Sequence, residues 1–205
     1  MDIPKEIRMA FSEKSRACEE YRQDFYDYLS SHSVEDVIQK YYFYGTPFVF
    51  RDDVNKYFEL RKDIAKHFEI DPSDIFMVGS SKLGFSLAPD KDYREWTEES
   101  DIDIAIVDAD LFDRFWKELY LTPIFMRPRF VWEDESYKSF LEYFFKGWLR
   151  PDMMPDIERQ PWFDFFASLY GKYGYKVTAG IYRKKDYLKA YHLNNIKRVK
   201  EDKLK

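Results

Sequence analysis

Apolar side chains recur every three or four residues over much of the first seventy positions, with polar side chains between them. The stripe that begins at Ile3 and runs to Tyr28 or Leu29 predicts a long amphipathic N-terminal helix, and a second stripe predicts another helix over Val54–Phe68. Between them, Ser33 and Asp36 have the spacing of a capping box, which predicts a short helix that ends before Gly45. The N-terminal third of the chain is therefore expected to be helical.

The pattern changes to that of strands in three later segments. The short apolar run Ile75–Val78 is typical of a buried strand that ends at Gly79. In Asp101–Val107 the isoleucines alternate with other residues, which is the two-residue period of a strand with one face in the core. The third strand candidate is Lys176–Tyr182.

Helical spacing returns after the second predicted strand. Asp108 or Asp110 is suited to cap a helix that follows directly. Two aromatic helical segments, 137–149 and 162–170, are separated by the proline-rich stretch 150–161. Aromatic side chains at helical spacing in the first segment are expected in the core: Phe140, Phe144, Phe145 and Trp148.

Together these elements predict an α/β (α+β) fold, in which helices pack on a small mixed sheet. A chain of 205 residues with one aromatic residue in five can build one sizeable core, whereas two domains would each be small. We therefore expect a single domain over 1–205. It has a helical annex over 1–70, an α/β core over 71–183 and a basic helical tail over 184–205.

Composition excludes several classes of protein. No apolar run reaches the length of a membrane span and the N-terminal residues are charged, so we expect a soluble cytoplasmic protein without a membrane partner. The single Cys18 cannot form an internal disulfide, and the three histidines lack the spacing of a zinc site.

Charge is distributed unevenly along the chain. The formal net charge is −5, but residues 183–205 hold nine Lys or Arg against three acids. Two interpretations of this tail remain open: a solvated helix with a frayed end, or a surface that contacts RNA or an acidic partner.

The segment Gly79-Ser80-Ser81-Lys82 follows the first predicted strand. Glycine lets the backbone approach a ligand, the serines supply hydroxyl donors, and amides at a helix start attract phosphate. The spacing is not that of a Walker loop. The segment is a candidate cradle for a triphosphate, although a plain turn is the alternative.

Two acids, Asp101 and Asp103, open the second predicted strand. Because side chains two residues apart in a strand share a face, these carboxylates lie on one side of the sheet. Mg²⁺ prefers such oxygen ligands together with phosphates and water, and without a cation the two charges repel. The alternative is an ordinary solvated strand face.

A strand that ends in Gly-Ser, followed by a later aliphatic strand with Asp-x-Asp, resembles the DNA polymerase β-type nucleotidyltransferase superfamily. That superfamily includes bacterial minimal nucleotidyltransferases and antiviral cyclic-nucleotide synthases. The resemblance is carried by Gly79, Ser80, Asp101 and Asp103 within 76–107, about a sixth of the chain.

The resemblance implies a magnesium-dependent enzyme that moves a nucleoside monophosphate from an NTP, such as ATP, to a hydroxyl on RNA, a protein or another nucleotide. Asp101 and Asp103 would be the catalytic ligands of one or two Mg²⁺ ions. Ser80, with Ser81 and Lys82, would hold the β and γ phosphates.

The sequence departs from the family pattern at two points. Twenty residues separate Ser80 from Asp101, so 87–99 is expected to be an inserted loop. The family also supplies a third carboxylate from a later strand, where this chain has Thr178 or Gly180. Three nearby acids are candidates for that role: Asp156 and Glu158 in the proline-rich stretch, and Asp164 on the helix after it.

The missing carboxylate leaves other functions open. One is a nucleotide-binding regulatory or interaction protein of the same fold with weak or no turnover. Another is an RNA-binding module led by the basic tail.

Overall fold

The structure is a computed structural model that describes residues 5–88, 91, 93–121, 135–154 and 156–203. Helices pack on a four-stranded mixed sheet, so the predicted α+β class is confirmed. The strands are β1 Ile75–Val78, β2 Ile102–Val107, β3 Trp148–Leu149 and β4 Val177–Tyr182. The α-helices are α1 Lys5–Ser31, α2 Val34–Ile38, α3 Val54–Phe68, α4 Gly79–Leu83, α5 Ala109–Leu121, α6 Glu135–Phe145, α7 Asp156–Ser168, α8 Tyr170–Tyr173 and α9 Lys185–Lys203.

The sheet has the strand order β1-β2-β4-β3. β1 runs antiparallel to β2, β2 runs parallel to β4, and the short β3 pairs antiparallel with β4. The three predicted strands are thus β1, β2 and β4, while β3 is an addition at the edge.

The predicted N-terminal helices are also present. The Ser33 hydroxyl accepts a hydrogen bond from the Asp36 amide, which begins α2, and a π-helical turn then carries the chain over Gln39–Tyr44 to Gly45. The helix predicted over Val54–Phe68 is α3, with the same bounds. None of the described helices is both long and apolar enough to cross a membrane.

The two faces of the sheet differ in character. Ile102, Ile104 and Ile106 of β2 point into the main core, which α3, α5, α6 and α7 cover. The other face carries Asp103 and Ala105, and α9 packs over this side. The alternation of isoleucines with other residues along β2 therefore separates a packed face of the sheet from a partly polar face.

The first aromatic segment is helical over a shorter range than predicted. α6 ends at Phe145 because Gly147, with φ at +73°, turns the chain, and Trp148–Leu149 then pair with β4. Phe140 is buried as expected, whereas Phe145 is 92 % exposed and does not belong to the core.

Part of the proline-rich stretch is helical rather than an irregular connection. α7 begins at Asp156 and contains Pro161, which cannot donate a backbone hydrogen bond. Trp162 and Phe166 on the same helix are buried in the main core, and this packing offsets the lost bond.

The basic tail is an integral part of the fold over Lys185–Lys203, whereas the frayed end expected from the sequence falls on residues 204–205, which lie outside the described residues. Four side chains of α9 at helical spacing are buried: Leu188, His192, Ile196 and Val199. α9 packs against α2 and against the partly polar face of the sheet, so the charged residues of the tail occupy its outer side.

Candidate functional site

The bend after β1 lies directly against the acid of β2. In the antiparallel register Val78 is opposite Asp103, which places Gly79 beside the Asp103 carboxylate. Gly79 has φ at +68°, and a β-carbon at this position would lie 2.5 Å from Oδ2 of Asp103. Only glycine meets both requirements, so the backbone is held close to the carboxylate.

Asp103 is a partly buried acid with two neighbours that fix its position. Its Oδ1 accepts a hydrogen bond from the Thr178 hydroxyl at 2.9 Å, and its amide donates to the Ser81 hydroxyl at 3.4 Å. Burial raises the pKa of Asp103, the Thr178 hydrogen bond lowers it, and the charge of Asp101 raises it. The net rise in pKa means that negative charge at this position is costly without a cation.

Asp101 lies one residue before β2 and lines the same cleft. Its Oδ2 is 2.8 Å from the Lys176 ammonium, and the side chains of the two residues are 35 % and 70 % exposed, respectively. Such an exposed ion pair contributes little to stability and exchanges readily with other partners. Gly79, Ser80, Asp101 and Asp103, remote in sequence, thus line one cleft.

Ser81 and Lys82 do not line this cleft. Ser81 is fully buried, and its hydroxyl donates to the Val78 carbonyl at 3.1 Å. The Lys82 ammonium donates to the carbonyl of Gly45, and burial lowers the pKa of Lys82 to about 8. Neither side chain is positioned for the phosphate contact expected from the sequence. Both instead hydrogen-bond to backbone carbonyls and stabilise the bend without lining the cleft.

The cleft has a volume of about 1200 Å³ and carries both signs of charge. Three of its cations are paired with three of its acids: Lys176 with Asp101, Lys146 with Glu142, and Arg150 with Asp152. Within the described part of the chain, the lining residues Lys91 and Arg198 make no ion pair. Among the described residues, the cleft therefore offers two cations without an ion pair, and the charge of one of them, Lys91, acts on the Asp103 carboxylate.

Sequence reasoning missed Lys91, Arg150 and Arg198 as site residues. The positive charges of Lys91 and Arg150 act on the Asp103 carboxylate and oppose the rise in its pKa. Arg198 belongs to the basic tail, and the excess of positive charge in that tail is the feature of the sequence that could have pointed to it. The other two could not be found because only tertiary packing brings them to the cleft.

The predicted insertion folds back on the bend. An isolated bridge pairs Phe85 with Glu95, and the Trp96 amide donates to the Gly84 carbonyl at 2.9 Å. The Tyr93 hydroxyl donates to Asp202 of α9 at 2.9 Å. Residues 89, 90 and 92 of the insertion lie outside the described residues. The second half of the insertion is thus anchored on the segment that follows α4 and on α9.

The position of a third carboxylate on β4 is filled by other residues. In the parallel register Thr178 is opposite Asp103, and Gly180 is opposite Ala105 and is covered by the Trp148 indole. Asp164 is exposed on α7, where it accepts a hydrogen bond from Gln160. The side chains of Asp156 and Glu158 lie outside the described residues.

Within the described residues, no group of three or more Asp, Glu, His or Cys side chains is arranged to hold a metal ion. Comparison of the chain with protein-family models, with curated proteins and with solved structures found no match. Function is therefore inferred from the chemistry of the cleft: two carboxylates, a glycine bend and unpaired cations.

Proposed function

We propose that the cleft binds an NTP together with Mg²⁺ and that the protein is a nucleotidyltransferase. The observation that carries this proposal is the packing of Gly79 on the Asp103 carboxylate, in a cleft that Asp101 also lines. A backbone bend beside two acids suits a phosphate chain whose charge is shared with a cation.

The acid pair fits one hard cation. Mg²⁺ is commonly held by one or two carboxylates, with phosphate oxygens and water completing the octahedron. Asp101 and Asp103 would hold the ion, and its charge would offset the unfavourable burial of Asp103. A second ion would need further oxygen ligands, such as those of the NTP itself.

The free cations suit the outer phosphates of the nucleotide. Lys91 and Arg198 line the cleft without ion pairs among the described residues, and Ser80 lines it at the bend. A triphosphate carries more negative charge than one Mg²⁺ neutralises, so cationic side chains add to its affinity.

In the proposed reaction a hydroxyl oxygen of the acceptor attacks the α-phosphorus of the NTP. The bond between that phosphorus and the oxygen bridging to the β-phosphate breaks, pyrophosphate leaves, and the hydroxyl proton is released. Asp101 and Asp103 would hold the Mg²⁺, which would supply positive charge beside the phosphoryl oxygens. The acceptor belongs to RNA, a protein or another nucleotide.

A second candidate function is nucleotide binding without turnover, as in a regulatory or interaction protein. Thr178 favours this candidate, because a hydroxyl stands next to Asp103 where a third carboxylate would complete a two-metal site. The ion pair of Lys176 with Asp101 favours it as well, since it competes with a metal for that carboxylate.

Calorimetry with each NTP and Mg²⁺, beside an assay of pyrophosphate release, tests both candidates. The proposal predicts magnesium-dependent binding and release of pyrophosphate by the wild-type chain, and loss of both in an Asp101→Ala/Asp103→Ala variant. Asp164→Ala is the matched control, because this exposed acid lies outside the cleft lining.

If the chain binds an NTP but releases no pyrophosphate with any of the acceptors that are supplied, nucleotide binding without turnover is favoured over nucleotidyl transfer. Full nucleotide transfer by the double variant contradicts the roles assigned to Asp101 and Asp103.

A further inference from the structure

His192 is a buried polar side chain whose two ring nitrogens make no hydrogen bond within the described part of the chain. It lies on α9 and is 5 % exposed, and neither Nδ1 nor Nε2 has a hydrogen-bond partner among the described residues. A buried donor or acceptor without a partner destabilises a fold, so such groups normally bind a water molecule or a ligand.

The surroundings of His192 keep its ring uncharged. The Tyr42 ring lies 4.3 Å away between centroids, and the Tyr191 ring meets it edge-on at 5.2 Å. Burial lowers the pKa of His192 to about 3. At neutral pH the imidazole therefore offers one N–H donor and one nitrogen acceptor, and no charge.

His192 lines the same cleft as the acid pair. Tyr42 and Asn195 line it as well, so a hydroxyl, an imidazole and a carboxamide share one wall formed by the π-helical turn and α9. These three side chains are neutral, which sets them apart from the acid pair, and the next side chain of α9 that lines the cleft is the cation Arg198.

The chemistry of this wall selects among ligand groups. A phosphate is disfavoured here, because burial keeps the ring uncharged and so removes the cationic partner that a buried anion needs. A metal ion is disfavoured as well, because within the described residues no group of three or more Asp, Glu, His or Cys side chains is arranged to hold one. An uncharged planar group with hydrogen-bond donors and acceptors on its edge can pair with both nitrogens of the imidazole and pack against tyrosine rings. A nucleobase has these properties.

We infer that His192, with Asn195 and Tyr42, forms the subsite that reads the edge of the nucleobase, an inference that rests on the proposed binding of an NTP. The phosphates then lie at the acid pair and the base at the neutral wall. Base preference is set by the hydrogen bonds of His192, since a base that mismatches them leaves buried groups unpaired.

Calorimetry with ATP, GTP, CTP, UTP and inorganic tripolyphosphate, each with Mg²⁺, tests the inference. The wild-type chain is expected to bind at least one NTP more tightly than tripolyphosphate. His192→Phe, which keeps a planar ring but removes both nitrogens, is expected to weaken that NTP roughly tenfold. In this variant the affinity for tripolyphosphate is expected to stay unchanged, and the differences in affinity among the four NTPs are expected to shrink.

If His192→Phe does not fold, Asn195→Ala replaces it, with the exposed neighbour Asn194→Ala as its control. Asn195→Ala is expected to reduce the same differences, and Asn194→Ala to preserve them.

Unchanged differences in affinity among the four NTPs in the variant overturn the subsite, and so does a wild-type chain that binds tripolyphosphate and all four NTPs equally. These results leave the proposed function standing. Failure of the wild-type chain to bind any NTP or tripolyphosphate contradicts the proposed function, and the subsite with it.

Discussion

At the scale of single residues, Gly79 combines a positive φ with a close approach to Asp103. We expect Gly79→Ala to destabilise the protein by roughly 2 kcal/mol, because the new methyl group is strained in its backbone and collides with the carboxylate. Thermal unfolding measures this loss, and calorimetry should show that binding of NTP with Mg²⁺ is lost as well.

Gly171→Ala is the matched control for this substitution. Gly171 lies in α8, and a β-carbon added there would meet no other atom within 4 Å, so alanine is expected to stabilise that helix by about 0.5–1 kcal/mol. Equal effects of the two substitutions would contradict the special role of Gly79.

Asp103 is expected to lower stability in the absence of metal. Its raised pKa means that the charged form is disfavoured in the folded state, so the penalty is present at neutral pH and fades as the pH falls through that pKa. We expect Asp103→Asn to raise the unfolding temperature at pH 7 while abolishing magnesium-dependent nucleotide binding.

The same measurement on Asp101→Asn is the control, because that side chain is more open to solvent and is paired with Lys176. A lower unfolding temperature for Asp103→Asn without metal would show that the charge is stabilising and that the site does not require a cation.

At the scale of elements, α9 carries the buried His192. Because its pKa falls from 6.5 to about 3 on folding, the unfolded chain binds an extra proton between these values, and stability is lost as the pH drops below about 6.5. Between pH 7 and pH 5 we expect the wild-type chain to lose about 2 kcal/mol more than His192→Phe.

Denaturant unfolding at the two pH values measures this difference. His32→Phe is the control, because His32 is exposed and stacks on Tyr28 at the surface. It is expected to follow the wild-type pH dependence. Equal acid sensitivity in wild type and His192→Phe would contradict the buried, neutral state of His192.

The elements that the sequence predicted well are those with strong local periodicity. α3, β1 and β4 follow from the spacing of apolar residues, and the sharp alternation in β2 identified its buried face. β3 could not be predicted, because Trp148 and Leu149 become a strand only by pairing with β4, more than twenty residues later in the chain.

The candidate site was predictable in part for a similar reason. Asp101 and Asp103 share a face by strand period, but the register that sets Gly79 on Asp103 depends on the pairing of β1 with β2. Lys82 was expected at a phosphate and instead donates to Gly45, since the direction of a side chain in α4 depends on what packs behind it. His192 gave no local signal at all.

At the scale of the whole molecule, the basic tail closes the partly polar face of the sheet. Truncation after Lys184 removes Leu188, Ile196 and Val199 from the interior, a loss of roughly 5–9 kcal/mol. This approaches the whole stability of a typical domain. We expect the truncated chain not to fold, as measured by circular dichroism and thermal unfolding.

A truncated chain that unfolds cooperatively at the wild-type temperature would contradict this structural role. RNA binding by the tail is better tested by a Lys184→Glu/Lys197→Glu variant, because both lysines are exposed. If the tail binds RNA, this variant loses RNA affinity, most clearly at low salt, while its unfolding temperature remains that of the wild type.

The central claim is that the bend and the acid pair together hold a metal-bound nucleotide. A crystal structure with a non-hydrolysable NTP and Mn²⁺, located by its anomalous scattering, tests it most directly. The account predicts a metal ion bound by both Asp101 and Asp103, with phosphate oxygens of the nucleotide on the same ion and beside Ser80. A nucleotide bound elsewhere, or a cleft that holds phosphate with no metal at the two acids, would contradict it.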